Sequence, residues 1–178
     1  MKLGLVGSEM CIRDRGWPAE GIMQAFHENL TKKMLDAYPD AKLTLDLSYE
    51  IIPHTVQQSL ERVKGIKNII AVASGKGGVG KSNTAVNLAL ALKEEGANAA
   101  VLDADIYGPS IPRMLGLKGR PDSEDGKTLE PKVGHGLQAM SIGLLVDEDT
   151  PMIWRGPMVT QALEQLLVDT NWKDIDYL

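Results

Sequence analysis

Residues Gly75-Lys76-Gly77-Gly78-Val79-Gly80-Lys81-Ser82 match the pattern G-x-x-x-x-G-K-[ST]. Glycines let a backbone wrap closely around phosphate oxygens, in conformations that other residues resist. The N–H groups of such a loop form an anion nest at a helix N-terminus, where the helix dipole also favours negative charge. In that setting Lys81 reaches the β- and γ-phosphates of a nucleotide such as ATP, and the Ser82 hydroxyl ligands Mg²⁺. All eight residues are therefore candidate binding residues. The plain alternative is a glycine-rich turn with no ligand. Context argues against it, because a buried-strand pattern precedes the loop and a helical pattern follows.

Two carboxylates stand next in line. Asp103 and Asp105 close the apolar run Ala99-Ala100-Val101-Leu102. Open α/β sheets bind ligands at the carboxyl ends of their strands. A carboxylate there holds the Mg²⁺ water shell or orients an attacking water. Asp105 is the expected holder of Mg²⁺ and water, and Asp103 the more structural of the two; a pair of turn-forming aspartates is the alternative. Lys76, taken on its own, reads as a solvated loop lysine. His27, His54 and His135 have no metal-ligand spacing and read as surface or packing residues.

These residues need a scaffold. Asn68–Ala73 is short and continuously apolar, as a strand buried on both faces should be. Lys81–Glu95 places Ala85, Leu88, Ala89 and Leu92 on one helical face, with Gly96 as its C-terminal cap. Ala99–Asp103 supplies the next strand, which completes a right-handed βαβ unit. Ser110 is the expected cap of a helix that has Pro112 in its first turn. Thr128–Val133 and Gln138–Leu145 suit a hairpin around Gly134-His135-Gly136, and Met158–Val168 an amphipathic helix. The final Asp176-Tyr177-Leu178 reads as the first step of a further strand, which predicts truncation.

The N-terminal third is different. Ile22, Met23, Phe26, Leu30 and Met34 predict an amphipathic helix over 20–38, ended by Pro39-Asp40. Leu43, Leu45, Leu47 and Tyr49 alternate with polar residues, as in a half-buried strand. Val56, Leu60 and Val63 suit a short helix over 55–64. The expected organisation is a partial small α/β domain over 16–66 and the N-terminal part of an ATPase domain over 67–178. The tract GSEMCIRDR resembles a translated sequencing-adaptor fragment, so residues 1–15 are expected to be foreign.

Composition sets the outer bounds. The chain has 178 residues, a formal net charge of −5 and 43% hydrophobic residues. That excludes a disordered, collagen-like or disulfide-stapled protein. The mild acidity argues against a general nucleic-acid binder. No stretch approaches the roughly 18–20 apolar residues of a membrane span. The one cysteine, Cys11, allows no disulfide and no cysteine pair on a metal, and fits a cytoplasmic setting.

The string KGGVGKS at 76–82 resembles the deviant Walker A loop of the dimeric ATPases that include MinD, ParA and nitrogenase iron protein. In that group the residue matching Lys76 crosses to the partner's nucleotide, where its charge acts much as an arginine finger does. The resemblance implies a homodimer that sandwiches two ATP molecules. It also implies that aspartates at the position of Asp103 and Asp105 serve Mg²⁺ and water activation. The longer runs KNIIAVASGKGGVGKSNTAVNLALAL, LDADIYGPSIPRMLG and MIWRGPM resemble the Mrp/ApbC family of iron–sulfur cluster carrier ATPases. DADIYGPSIP and WRGPM set that family apart from MinD and ParA. The likeness covers 67–178 and extends more weakly to about residue 20.

It implies a P-loop NTPase with a mostly parallel sheet flanked by helices, incomplete here. It further implies a cytoplasmic dimer that hydrolyses ATP and passes iron–sulfur clusters to apoproteins, with no nucleic acid or membrane as partner. Two family elements are missing: the acidic Walker B motif expected just after Leu178, and the downstream Cys-x-x-Cys that binds the cluster. Residues 1–178 therefore hold no expected cluster ligand. Two other readings remain: a MinD- or ParA-like spatial-positioning ATPase, and a non-functional gene fragment. For Trp154-Arg155-Gly156-Pro157, a buried Trp with a salt-bridged Arg is the plain reading, and a switch contact to nucleotide or partner the sharper one.

Overall fold

The computed structural model describes residues 2–5, 8–11, 18–40, 42–55, 61–146 and 156–178. They fall into two compact units, residues 1–52 with 94–96, and residues 53–93 with 97–178.

In the first unit, Lys2–Leu5 (β1) pairs antiparallel with Ser8–Cys11 (β2). The expected helix is present as α1 (Glu20–Ala37), and Tyr38 N–H closes it on the Met34 carbonyl, just before Pro39. Met23, Leu30 and Met34 are half-buried, whereas Ile22 and Phe26 are exposed, so the apolar ladder is only partly covered. Leu43, Leu45, Leu47 and Tyr49 are half-buried and the residues between them exposed, the alternation that was expected. No named strand forms there, however; a single bridge at Asp46 is all the pairing this segment shows among the described residues. Alternation sets which side chains turn inward, but a ladder also needs a neighbour to bond.

The second unit contains β3 (Ile66–Asn68), α2 (Lys81–Glu94), β4 (Ala100–Asp103), α3 (Ile111–Met114), β5 (Lys132–Gly134), β6 (Leu137–Ser141), α4 (Gly156–Val168) and β7 (Ile175–Tyr177). β3 lies parallel to β7. The Ala99–Tyr177 bridge and the Asp176 N–H to Asn98 carbonyl bond set β7 beside β4. β4 runs parallel to β6, and β6 antiparallel to β5. The strand order is thus β3-β7-β4-β6-β5, parallel except at its hairpin edge.

Side chains alternate across this sheet with a period of two. Ala100, Met140, Ile175 and Ile66 pack on one face with Leu166 of α4 and Trp172. Ala99, Val101, Leu137 and Ala139 pack on the other with Val86 and Ala89 of α2 and Ile111 of α3. Helices therefore cover both faces, the layering of a doubly wound α/β fold. The expected mostly parallel α/β architecture is borne out.

Several boundaries shift. The strand expected over 68–73 is laddered over 66–68, and its last bond runs from Ile70 N–H to the Leu178 carbonyl at 2.8 Å. Ile69 and Ile70 are 57% and 42% exposed rather than buried. Among the described residues, no strand borders the other edge of β3, so residues 71–73 have nothing to pair with. The hairpin forms, with His135 and Gly136 both at positive φ, as a two-residue type I′ turn requires. Its strands are shorter than expected: Ile142–Leu144 is a 3₁₀ turn, and Leu129 bridges Thr170 instead. Of the helix expected over 55–64, Val56–Leu60 lie outside the described residues, and Glu61–Val63 are not helical.

Gly65 leads into β3 at φ +81°, and a Cβ there runs into the Trp172 carbonyl oxygen. Its own carbonyl accepts from Ile175 N–H at 2.8 Å, so the backbone is not free to shift. Gly65→Ala is expected to cost about 3 kcal/mol, the sum of a left-handed φ and a backbone collision. Chemical denaturation checks this: an unchanged midpoint rejects it.

Candidate functional site

α2 begins at Lys81, directly after the glycine loop. Every residue from Ala73 to Gly80 is exposed. Gly78 and Gly80 take φ of +73° and +88°, the left-handed region where glycine carries no steric penalty. Gly75 and Gly77 have ordinary φ, and no heavy atom lies within 4 Å of a Cβ built on either. Internal crowding therefore explains neither glycine. Among the described residues, no protein acceptor takes the N–H groups of Gly75 to Gly80. The loop presents donors outward at a helix N-terminus, which suits an anion of phosphate type. Ser74 Oγ donates to the Lys76 carbonyl at 3.0 Å and folds the loop's first turn.

Lys81 and Asp105 come together. The Lys81 ammonium donates to Asp105 Oδ2 at 2.9 Å, with both side chains about one-third exposed. Asp105 Oδ1 accepts from Gly108 N–H at 3.2 Å. Ser82 stands beside Lys81 in the first turn of α2, half-buried. Lys81, Ser82, Asp103 and Asp105 line one cleft of about 510 Å³, whose remaining walls are mostly apolar. Tyr177 also borders it, and burial pushes its phenol pKa up, with the nearby Asp176 charge adding to the shift. Lys76 is exposed and has no ion-pair partner among the described residues. Val79 is exposed as well.

Asp103 is buried at 4% exposure, and its carboxylate is fully engaged. Oδ1 accepts from Asp105 N–H at 3.1 Å. Oδ2 accepts from Ser110 N–H at 3.0 Å, from Ile111 N–H at 3.1 Å and from the Ser141 hydroxyl at 3.3 Å. Ser110 is the N-cap residue of α3, as expected, with Pro112 in the first turn. Ser110 makes no side-chain cap bond. Asp103 takes the free amides at that helix start instead, because a carboxylate at the end of β4 already faces them.

Ser141 is the residue that sequence reasoning missed. It carries no motif; only the β4–β6 register, which sets Asp103 opposite Ser141, brings it in. Trp154 and Arg155 lie outside the described residues, while Gly156 and Pro157 open α4. His27 is on α1, His54 precedes β3 and His135 is in the hairpin turn, and each is exposed. No helix among the described residues is long and apolar enough to cross a membrane.

Comparison with known proteins gives a consistent result. A family model described as a NUBPL iron-transfer P-loop NTPase of the ParA group matches residues 65–178. An iron–sulfur cluster carrier protein of Salmonella typhimurium is 59% identical over 133 residues, which is 74% of this chain and 36% of that protein. One from Escherichia coli is 61% identical over 127 residues, 67% of this chain and 34% of that protein. The mouse iron–sulfur cluster transfer protein NUBPL is 50% identical over 118 residues, 65% of this chain and 37% of that protein. The chain thus spans about a third of the length of these relatives. A solved nucleotide-binding protein from Archaeoglobus fulgidus, in complex with ADP, superposes with a TM-score of 0.54 at 36% identity. That match covers 66% of this chain and 44% of the other.

Proposed function

Because the chain belongs to the NUBPL iron-transfer P-loop NTPase family, we propose that it binds and hydrolyses ATP in the service of iron–sulfur cluster transfer to apoproteins. The observation that carries this reading is the outward-facing glycine loop, opening on α2 with Lys81 held opposite Asp105. Two elements of opposite charge meet there at the carboxyl edge of the sheet, where α/β folds bind ligands.

The loop amides of Gly75–Gly80 and the Lys81 ammonium hold the triphosphate. Lys81 leaves the Asp105 carboxylate for the phosphate oxygens, and the released carboxylate is then free to orient the attacking water. Ser82 and Asp105 are the residues that would hold Mg²⁺, whose charge neutralises the phosphate oxygens. Lys76 is exposed, so its charge is open to a second subunit. In a homodimer it reaches the partner's nucleotide and stabilises the charge of the transferring phosphoryl group. Thiolates select iron–sulfur clusters, and residues 1–178 hold the single cysteine Cys11. The reading therefore assigns nucleotide chemistry to these residues and names no cluster ligand among them. The setting is the cytoplasm.

Anaerobic cluster loading of the full-length protein tests the function as a whole. Cluster uptake and ATP-dependent transfer to an apoprotein are expected, and failure of both rejects the carrier reading. The role of Lys76 has its own test. Lys76→Ala is expected to bind a fluorescent ATP analogue within about threefold of the parent, yet to lose at least about 1,000-fold in phosphate release, the scale of a cation delivered in trans. Normal turnover in that variant refutes delivery across an interface.

A further inference from the structure

We propose that Ser141 is a positioning residue for Asp105, acting through the buried carboxylate of Asp103. The proposal rests on the nucleotide reading above and assigns a role to a residue outside every motif.

The hydroxyl of Ser141 has its polarity set by its neighbours. Gly143 N–H donates to Ser141 Oγ at 3.1 Å, which occupies a lone pair. The remaining direction is the Oγ–H, and it faces Asp103 Oδ2 at 3.3 Å. Ser141 is 1% exposed, so no water competes for either bond. The serine thus ties the end of β6 to the end of β4, where the register sets the two residues opposite each other.

Asp103 passes that constraint on. Oδ2, which Ser141 holds, also binds the amides of Ser110 and Ile111, the far end of the 104–110 loop. Oδ1 binds the amide of Asp105, the near end. One buried carboxylate therefore closes the loop as a ring. Within the ring the Gly108 amide holds Asp105 Oδ1, which leaves Oδ2 directed at Lys81. A carboxylate bound on one oxygen and aimed with the other has lost most of its rotational freedom before any ligand arrives. Second-shell hydrogen bonds of this kind orient metal-binding carboxylates. The β4–β6 ladder fixes the backbone of Asp103, and a donor on the neighbouring strand is needed to fix its carboxylate as well. Ser141 is the donor that comes from another strand.

The readout is the ratio of affinities for a fluorescent ATP analogue with Mg²⁺ and with EDTA. Asp105 governs the metal-dependent part of binding, while the loop amides govern the metal-independent part. Ser141→Ala is expected to reduce the ratio about fivefold, the scale of one ordinary hydrogen bond, because the serine acts on Asp105 through Asp103 and not directly. Asp105→Asn reduces the ratio at least as far, and adding Ser141→Ala to it changes the ratio no further. A serine with only a packing role lowers the unfolding midpoint and leaves the ratio intact. If Ser141→Ala does not fold, Ser141→Cys, which keeps a weak donor of similar size, enters the same comparison and is expected to fall between the two. A parental protein that binds no nucleotide overturns the nucleotide reading itself. A parent with a clear Mg²⁺ effect and an unchanged ratio in the Ser141 variant overturns this proposal alone, as does full additivity with Asp105→Asn.

Discussion

Lys81→Ala abolishes nucleotide binding while leaving the fold in place: that is the expected result in paired titration and unfolding experiments. Lys81 is the one loop side chain whose charge points into the cleft, where it meets Asp105. A hydrogen bond to a charged group is worth about 1.5–3 kcal/mol, so losing an ammonium that bridges two phosphates weakens binding at least about 100-fold. The folded protein loses little. The Lys81–Asp105 pair is about one-third exposed on both sides, and such pairs contribute no more than about 1 kcal/mol. Removing the lysine also leaves Asp105 open to solvent rather than stranded, because its other oxygen keeps the Gly108 amide. The two readouts must therefore separate. A variant that binds ATP within about threefold of the parent refutes the assignment of Lys81. One that unfolds with it shows the ion pair to be structural.

What could be read in the sequence was what is local. The glycine loop, Lys81 and Ser82 are consecutive, and their relation to a strand before and a helix after needs only short-range periodicity. The βαβ order and the alternation of β4 follow from short-range periods; on α2 the expected face holds Ala89, but Leu88 is 37% exposed and Val86 is buried in its place. The left-handed Gly96 after α2 was legible too, and Ala97 N–H closes on the Leu92 carbonyl there. What stayed hidden depends on neighbours. The length of β3 is set by β7, more than 100 residues away in the chain, and its apolar continuation through Ile70 has no described strand on its other side. Leu43–Tyr49 shows the right alternation with almost no ladder, for the same reason. Ser110 stands at the cap position of α3, but Pro112 offers its hydroxyl no N–H, and a buried carboxylate takes the amides of Ser110 and Ile111 instead. Ser141 meets Asp103 only through strand register, which no motif encodes.

The largest effect on stability is expected at Asp103. Asp103→Ala removes the acceptor of three backbone amides and one hydroxyl at once. Asp103 and Ser141 are both buried, so the orphaned groups regain few waters. Each unsatisfied donor costs about 1–3 kcal/mol, and partial relief where the 104–110 loop meets solvent leaves a total of about 4 kcal/mol. That is a large share of the roughly 5–15 kcal/mol that holds a domain together. Asp103→Asn separates the hydrogen bonds from the charge. Its carbonyl oxygen can keep Ser110, Ile111 and Ser141, but the amide group then faces Asp105 N–H, donor against donor. The expected loss is about 1–2 kcal/mol, concentrated on the one bond that aims Asp105. In urea unfolding the order is therefore parent, then Asn, then Ala, with the Ala midpoint far below the other two. In nucleotide binding the two variants converge, because each frees Asp105 from the ring. An Ala variant within about 1 kcal/mol of the parent shows that the four bonds do not act as a buried unit.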